Sequence, residues 1–373
     1  MQYADLSVVK HRLHLGAPLP FNVRNADKTL LLARGQQVDS AEHLASLLER
    51  GALVDLSELI TPREEVLKAR RDQLPKLWSG ALTKLSAAMD TAPEPGFCDA
   101  LVEAAVPVQA LIERDPDLAI FQVVQQGAEA NLSYGAQRAT QTAITSMMVA
   151  QRMGWEPAQA ELAFKVALTM NLSMLELQGV LAKQSQPPTP EQREAIRSHP
   201  ERSAVMLEQA GVTNQAWIDA VRHHHEVEDG SGYPGGSRST AELSSLVRRA
   251  DVYTAKLSGR LARMPLSADQ ASRQMFMKDP GHAITAALVK EFGIYPPGCM
   301  VKLASGETAM VIQRGTTITA PIVACLTTPS GVPLSKPVRI DTGVRPNHVA
   351  GVVAPGTGPT PPALEKILQA LAA

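Results

Sequence analysis

Residues 223 to 236 read H-H-H-E-V-E-D-G-S-G-Y-P-G-G, and this stretch decides how the rest of the chain is interpreted. Its three consecutive histidines are notable because a neutral imidazole is a common ligand for zinc, iron and related ions. Neighbouring side chains on a helix point about 100° apart, so further ligands must come from other segments. The histidines therefore predict either a metal site assembled from several segments or a polar helix end whose histidines are solvated or bind carbonyls near the C-terminus of the helix.

A glycine-rich loop follows the histidines directly. Residues 229 to 236 contain four glycines and a proline, and glycines allow backbone N–H groups to approach a bound group closely. A plain surface turn would explain the glycines alone. It would not explain their occurrence beside the histidines and before the apolar-flanked A-D-V-Y of residues 250 to 253. The combination favours a functional site over a turn.

Charge and cysteine content narrow the class of protein. The 373 residues include 36 Lys and Arg against 37 Asp and Glu, without the concentration of basic residues that binding to a phosphate backbone requires. Three cysteines spaced far apart predict free thiols in a reducing compartment. No apolar run approaches the roughly 18 residues of a membrane span. We therefore expect a cytoplasmic protein with no nucleic acid partner and no membrane span.

The hydrophobic pattern changes along the chain, which is too long for one typical domain of roughly 100–200 residues. Short apolar pieces separated by turns come first, and a helix capped by Ser40 follows them. Amphipathic helices fill the middle, and the C-terminal part shows short apolar segments typical of antiparallel strands. The chain is therefore predicted to be mainly α. Its predicted parts are a small N-terminal α+β unit over 1–60, a helical linker region over 61–125, an all-helical domain over 126–292, and a short β appendage with a Pro/Gly-rich tail and a short helix over 293–373.

Two further local patterns give specific expectations. Thr189-Pro190-Glu191-Gln192 combines a hydroxyl cap, a proline at the first helical position and a glutamine able to reach back, so the helix that carries His199 should begin there. Residues 341 to 362 are rich in Pro, Gly and Thr and are expected to be extended or mobile. Residues 362 to 373 have the pattern of a short terminal helix.

The quoted residues resemble the HD-GYP family, a branch of the HD phosphohydrolase superfamily. The resemblance covers roughly residues 126 to 290, and its strongest parts are H-H-E-x-x-D-G-S-G-Y-P at 224 to 234, R-x-A-D-V-Y at 248 to 253, and His199. It implies an all-helical domain that hydrolyses the bacterial second messenger cyclic di-GMP at a centre of two or three metal ions. By this resemblance the metal ligands are His199, His224, His225 and Asp251, and the loop that binds ligand or partner contains Asp229, Gly230, Gly232, Tyr233 and Pro234.

Part of the family's metal site is altered in this chain. Where the family has its defining His-Asp pair, followed two residues later by Gly-Lys, this chain has Met170 and Asn171, with Met174 at the lysine position. A dinuclear hydrolase needs carboxylates to hold its ions, and neither a neutral amide nor a thioether replaces one. A further family histidine corresponds to Arg138, whose guanidinium stays protonated and would repel a nearby cation.

Arg138 admits two other interpretations. In a site without metal, a fixed guanidinium could contact a phosphate group bidentately and keep nucleotide binding without turnover. Alternatively, Arg138 could be an ordinary surface residue on the helix predicted over residues 136 to 153.

The altered positions change the expected function. We expect a signalling protein of the cyclic di-GMP system with lost or strongly reduced phosphodiesterase activity, acting as a binding or regulatory module. Its centre would hold one divalent ion (Zn, Fe or Mn) or none, and its partners would be cyclic di-GMP or another nucleotide and a diguanylate cyclase of the GGDEF type. The alternatives are an active phosphodiesterase with a mononuclear site, since three histidines and a water form a known catalytic zinc centre, and a structural interaction scaffold.

Overall fold

Helices make up most of the part of the chain that the computed structural model describes, which is residues 3–125, 133–238, 240–360, 363 and 366–367. The chain folds into two compact units, Met1–Ala69 and Arg70–Ala373. Small sheets lie near both termini of the chain. The mainly α fold class, with a small N-terminal α+β unit and a short C-terminal β appendage, is confirmed.

The first unit is a four-stranded antiparallel sheet with helices. Its strand order is β1-β4-β2-β3, and Phe21, Val23, Leu47 and Val54 are buried in its core. The Ser40 hydroxyl accepts a hydrogen bond from the His43 N–H at the start of α1, which is the cap that the sequence predicts. The elements are β1 (Tyr3–Asp5), a 3-10 helix (Leu6–Arg12), β2 (Val23–Arg24), β3 (Leu30–Leu32), α1 (Ala41–Glu49), β4 (Leu53–Asp55), α2 (Leu56–Leu59) and α3 (Pro62–Lys68).

The second unit contains the helical domain. Its helices are α4 (Leu74–Met89), α5 (Phe97–Arg114), α6 (Pro116–Val124), α7 (Tyr134–Arg152), α8 (Pro157–Thr169), α9 (Leu175–Ala182), α10 (Pro190–Gln209), α11 (Gln215–Arg222), α12 (Glu242–Leu257), α13 (Ala268–Lys278) and α14 (Ala283–Phe292). One 3-10 turn, Arg71–Gln73, precedes α4, and another, Leu172–Met174, lies between α8 and α9.

Helix α7 is the central helix of this unit. It packs against α8, α9, α12 and α14 and is buried along almost its whole length. Three of its threonines tolerate this burial because their hydroxyls donate to the carbonyl four residues earlier, as Thr140 does to Ala136 and Thr145 does to Gln141. These three hydroxyls therefore find their acceptors within the central helix itself.

Helix α10 begins where the sequence predicts. The Thr189 hydroxyl accepts from the Gln192 N–H, the Gln192 side chain accepts from the Thr189 N–H, and Pro190 is the first helical residue. His199 lies in the middle of this helix, where it is buried. The capping box thus fixes where α10 begins, and this start places His199, a candidate metal-binding residue, in the domain core.

A five-stranded antiparallel sheet follows the helices, in the order β8-β7-β6-β5-β9. Antiparallel strands are what the short apolar segments of the C-terminal part predict. The last strand, β9, forms within residues 341 to 362, which we expected to be extended or mobile. Val124 at the end of α6 packs against the core of this sheet. The predicted terminal helix over 362–373 lies almost wholly outside the described residues. The strands are β5 (Met300–Leu303), β6 (Thr308–Gln313), β7 (Ile322–Thr327), β8 (Pro333–Asp341) and β9 (Val349–Val352).

Candidate metal centre

Three of the four predicted metal ligands lie together. His199 comes from α10, whereas His224 and His225 follow the end of α11. One ring nitrogen from each histidine lies within 4.8 Å of the other two, and no other group of this kind occurs among the described residues. His199 and His224 are 1% and 0% exposed, so His224 is not a solvated residue of the helix end, although its ring does meet a backbone carbonyl there.

Backbone carbonyls orient two of these rings. His199 Nδ1 donates to the Ile196 carbonyl at 2.5 Å, and His224 Nδ1 donates to the Val221 carbonyl at 2.6 Å. A carbonyl can only accept, so each Nδ1 carries the proton and each Nε2 keeps its lone pair. The two Nε2 atoms are 3.1 Å apart. Two nitrogens at about 2.0–2.1 Å from one zinc ion would have this separation at an angle of roughly 100°, so the pair is oriented like ligands of one ion.

The protonation state of the cluster also suits a metal. Burial, reinforced by the neighbouring histidines, lowers the pKa of His199, His224 and His225 to about 3. The rings are therefore neutral around pH 7. Neutral imidazole is the form that binds metal, so no proton has to be displaced from these nitrogens first.

The glycine-rich loop lies directly against the histidines. The Tyr233 ring stacks on the His225 ring with centroids 4.5 Å apart and planes inclined by 19°, and the Tyr233 N–H donates to the His225 carbonyl at 3.3 Å. Burial, followed by the Asp251 carboxylate, raises the pKa of Tyr233, so its phenol stays protonated. The loop and the candidate metal centre thus form one continuous structure.

Gly232 makes this close approach possible. A Cβ at this position would lie 2.5 Å from both the His225 carbonyl oxygen and the Val227 nitrogen, distances at which backbone atoms clash. Gly230 has a different function, because its φ of +82° is one that glycine adopts without strain. The Asp229 carboxylate accepts from the Ser231 N–H at 2.8 Å, and the peptide bond between Tyr233 and Pro234 in the same loop is cis.

The change Gly232→Ala is expected to lower the free energy of unfolding by about 3 kcal/mol, because the new methyl group has to displace backbone rather than a flexible side chain. Urea unfolding measures this effect. Gly179→Ala on α9 is the matched control, since a Cβ there meets no atom of the described residues within 4 Å and alanine should be neutral or slightly stabilising. Equal unfolding free energies for the two variants would contradict the close approach.

Glu226 is a functional residue to which the sequence analysis gave no role. Its side chain is 2% exposed, and its two carboxylate oxygens accept from the Gly235 N–H at 2.7 Å and the Ser237 N–H at 2.8 Å. It therefore closes the loop rather than binding with the histidine cluster. A signal was available, because a turn rich in glycine has backbone donors that need an acceptor nearby.

Asp251, the fourth predicted ligand, is held by Arg138. Arg138 Nη2 donates to Asp251 Oδ1 at 2.6 Å and to the Asp251 carbonyl at 3.2 Å, while Nη1 donates to the Ser258 hydroxyl at 3.4 Å. The Arg138 side chain is only 4% exposed, so its interpretation as a surface residue is wrong. Asp251 does not join the histidine group within 4.8 Å.

The altered segment of the family pattern packs against α10. Met170, Asn171 and Met174 are 0%, 4% and 9% exposed. Ser173, between them, donates through its hydroxyl to the His199 carbonyl at 3.1 Å. Two apolar thioethers and one neutral amide therefore lie in the domain core, beside the helix that carries a histidine of the cluster.

A second charged network lies next to the loop, and the sequence analysis did not identify it. Glu228 accepts from the Ser245 hydroxyl at 2.7 Å, from Arg249 at 2.9 Å and from Arg248 at 3.0 Å. Arg249 also donates to Asp279 through two nitrogens. Burial raises the pKa of Glu228, but the hydrogen bonds from Ser245 and Arg249 outweigh this effect and lower it to about 2.

This network predicts a measurable pH dependence of stability. The folded-state pKa of Glu228 lies below the ordinary 4.5, so its stabilising contribution is fully present above pH 4.5 and is lost as the pH falls towards about 2. The difference in unfolding free energy between the wild type and Glu228→Gln should therefore shrink over this window. Denaturant unfolding at several pH values measures it, and a constant difference would contradict the proposed ion pairs.

Part of this chain is similar in sequence to known proteins. Among the described helices, none has the length and apolar composition needed to cross a membrane. Residues 122–277 match the sequence model of the HD domain family. The cyclic di-GMP phosphodiesterase PA4108 of Pseudomonas aeruginosa is 36% identical over 135 residues, which cover 34% of this chain and 32% of the relative. The chain thus matches about a third of the length of this curated relative.

A solved structure resembles the present one. It is Bd1817, an HDG"Y"P protein from Bdellovibrio bacteriovorus, which superposes with a TM-score of 0.48 at 16% identity and covers 78% of this chain and 98% of that chain. The match to the HD domain model spans the His-His-Glu and Gly-Tyr-Pro residues described above. The chain therefore contains a domain of the HD-GYP family.

Proposed function

We propose that this chain is a signalling protein of the cyclic di-GMP system whose HD-GYP domain has lost most or all phosphodiesterase activity and acts by binding. The observation that carries the proposal is the buried ion pair between Arg138 and Asp251, 2.6 Å long. In this pair the carboxylate that the family pattern assigns to metal is neutralised by a cation of the protein itself. An arginine remains protonated at all physiological pH values, so the neutralisation is permanent.

The three histidines fit one divalent ion. His199, His224 and His225 would hold it through ring nitrogens that are neutral and, for the first two, oriented by carbonyls. A bound ion of this kind supplies a polarised water or binds a phosphate oxygen. Zinc, iron and manganese all accept imidazole ligands. Because Arg138 holds Asp251, only the three histidines are available as metal ligands. They support the binding of one ion or none.

A second ion lacks its ligands. Asn171 and Met170 offer no charge to balance it, and Met174 offers no cation to stabilise a phosphate or a leaving group. All three side chains are buried, so they also occupy volume in the core. Loss of the second ion and of these charges supports a large decrease in hydrolysis rather than a change of substrate.

The loop supports a binding role. Tyr233 is fixed by its stack on His225, and the buried Glu226 carboxylate holds the backbone that follows. A loop held in this way is preorganised for contact with another molecule. We propose cyclic di-GMP or another nucleotide as the ligand and a diguanylate cyclase of the GGDEF type as the protein partner, with residues 126–292 as the binding domain.

Metal analysis tests the centre. Protein purified without chelator is expected to contain about one ion per chain, and His224→Ala should lose most of it, because removing one of three ligands weakens binding strongly. Atomic absorption measures the content, and His223→Ala is the matched control, since His223 lies outside the cluster. Two ions in the wild type would contradict the mononuclear site.

Turnover of cyclic di-GMP separates the proposal from its alternatives. The proposed function requires nucleotide binding by the full chain without appreciable hydrolysis under zinc, iron or manganese. Rapid hydrolysis that His224→Ala abolishes would instead establish the mononuclear phosphodiesterase. The scaffold alternative draws support from the buried Met170 and Met174, and it requires that nucleotide and metal both fail to bind.

A further inference from the structure

A proline follows His199 directly in the interior of α10. Pro200 is buried and lies in the middle of this helix. Proline is uncommon in a helix interior, because it has no N–H to donate to the carbonyl four residues earlier and its ring crowds that carbonyl. The carbonyl concerned is that of Ile196. Pro190, by contrast, is the first helical residue, where no such bond is made. Pro200 therefore interrupts the hydrogen bonds of α10 beside a candidate ligand.

The missing bond leaves free the acceptor that His199 uses. His199 Nδ1 donates to the Ile196 carbonyl at 2.5 Å, and Pro200 supplies no N–H to compete for this oxygen. His224 makes the same kind of bond, because its Nδ1 donates at 2.6 Å to the carbonyl three residues earlier, that of Val221. The residue four positions after Val221 lies beyond the end of α11. A proline in one helix and a helix end in the other thus free a carbonyl for a histidine of the cluster.

His223 provides a comparison within the same chain. Its Nδ1 donates to the Asp219 carbonyl at 2.9 Å, but that carbonyl also accepts from the His223 N–H at 3.0 Å. The ring bond to this shared carbonyl is longer than the bonds of 2.5 and 2.6 Å that His199 and His224 make. His223 also lies outside the cluster. A carbonyl that receives a backbone N–H therefore holds a histidine ring less closely.

The orientation of the His199 ring determines what it offers to a metal ion. With the proton held on Nδ1, the lone pair of Nε2 is free, and this atom lies 3.1 Å from His224 Nε2. The other tautomer would place a protonated nitrogen there, which cannot bind a metal. A hydrogen bond from the nitrogen that does not bind metal fixes both the tautomer and the ring. Pro200 can therefore affect the centre through His199.

The backbone around the interruption is held by a neighbouring segment. The Ser173 hydroxyl donates to the His199 carbonyl at 3.1 Å, and the Ser203 hydroxyl accepts from the Ser173 N–H at 3.2 Å. Ser203 is 0% exposed. These two bonds reach α10 just before and just after Pro200. The turn that lacks a helical bond is thus supported from outside the helix.

We propose that Pro200 is a positioning residue of the candidate metal centre. By supplying no N–H, it leaves the Ile196 carbonyl to fix the tautomer and the orientation of the His199 ring. The inference rests on the proposed function, which places one ion at the histidines, and adds a residue without any metal-binding atom. Alanine is the most favourable residue in a helix interior and proline the least. A purely structural role of Pro200 therefore predicts no loss of metal affinity in Pro200→Ala.

Zinc titration of the full chain tests the inference with Pro200→Ala, which restores the N–H. The restored group should compete for the Ile196 carbonyl, so zinc affinity should fall about tenfold or more, as for other groups that orient a ligand. Urea unfolding in EDTA should give a midpoint equal to or above that of the wild type.

Pro190→Ala is the matched control in the same helix and should leave zinc affinity unchanged, because residue 190 has no helical carbonyl four positions earlier. A loss of less than about threefold in Pro200→Ala, or an equal loss in Pro190→Ala, would overturn the proposal.

Imidazole ¹⁵N spectra of the protein in EDTA give a second measurement that does not depend on zinc. In the wild type, His199 should show a protonated Nδ1 and an unprotonated Nε2. In Pro200→Ala these two resonances should move towards each other as the tautomers mix, while those of His224 stay in place. Unchanged His199 resonances would overturn the proposal. A wild type that binds no zinc would contradict the proposed single-ion centre, and the spectra would still decide the role of Pro200.

Discussion

Restoring the family residues at four altered positions is expected to raise cyclic di-GMP hydrolysis by at least about 100-fold over the wild type. The physical reason is that an added carboxylate and two added imidazoles would allow a second ion to bind, while a lysine would stabilise charge on phosphate. Electrostatic groups of this kind are each worth about 10²–10³ in rate. Replacing Arg138 also frees Asp251 from its ion pair. The variant carries Arg138→His, Met170→His, Asn171→Asp and Met174→Lys.

The assay measures the linear dinucleotide that hydrolysis of cyclic di-GMP produces, in the presence of excess manganese or iron. The metal content is determined on the same sample. A variant that keeps Arg138 but carries the other three changes is the matched control, and it should stay nearly inactive because Asp251 remains paired. Circular dichroism must show that both variants fold. If the variant with all four changes folds and binds two metal ions, a wild-type turnover rate within about tenfold of its rate would contradict the proposed loss of activity.

The change Asp251→Asn is expected to destabilise the metal-free protein by about 3–5 kcal/mol, since it leaves a buried guanidinium without its counter-ion. Arg138 is 4% exposed and Asp251 is 19% exposed at the side chain. Burial lowers the pKa of Arg138, with Asp251 opposing that shift. The arginine therefore depends on the carboxylate more than the carboxylate depends on the arginine. Urea unfolding in EDTA measures the effect.

The reverse change, Arg138→Met, should cost less, because the remaining carboxylate reaches solvent more easily. The double variant should be more stable than Asp251→Asn alone, since it removes the unpaired charge. Strictly additive effects of the two single changes would contradict a direct ion pair. Because the experiment excludes metal, it tests the pair independently of any ion at the histidines.

The sequence was sufficient to predict the histidine cluster and the mainly α fold, for different reasons. The capping box at Thr189 fixes the start of α10 by local hydrogen bonds, and such local signals can be read directly from the chain. The histidines and the glycine-rich loop are adjacent in sequence, so their proximity follows from the covalent chain. Only the approach of His199 to His224 required the resemblance to a family, since 25 positions separate them.

The sequence could not predict which charges would pair. Arg138 and Asp251 are 113 positions apart, and neither has a local pattern that indicates a partner. From the sequence alone, Arg138 is therefore compatible with a surface residue, a phosphate contact or a replaced ligand. The network of Glu228 with Arg248 and Arg249 was missed for a different reason. The two arginines lie on a helix, where charged residues are usually solvated.

By itself the sequence determined the fold class, the start of α10 and the presence of the His-His-Glu and Gly-Tyr-Pro segments, because helix caps, periodicity and adjacent motifs depend on near neighbours in the chain. The tertiary structure alone decided that His199 Nε2 meets His224 Nε2 at 3.1 Å and that Asp251 is paired with Arg138. These features depend on how distant helices pack, and packing fixes the distances and the local dielectric on which charge pairing and ligand binding depend.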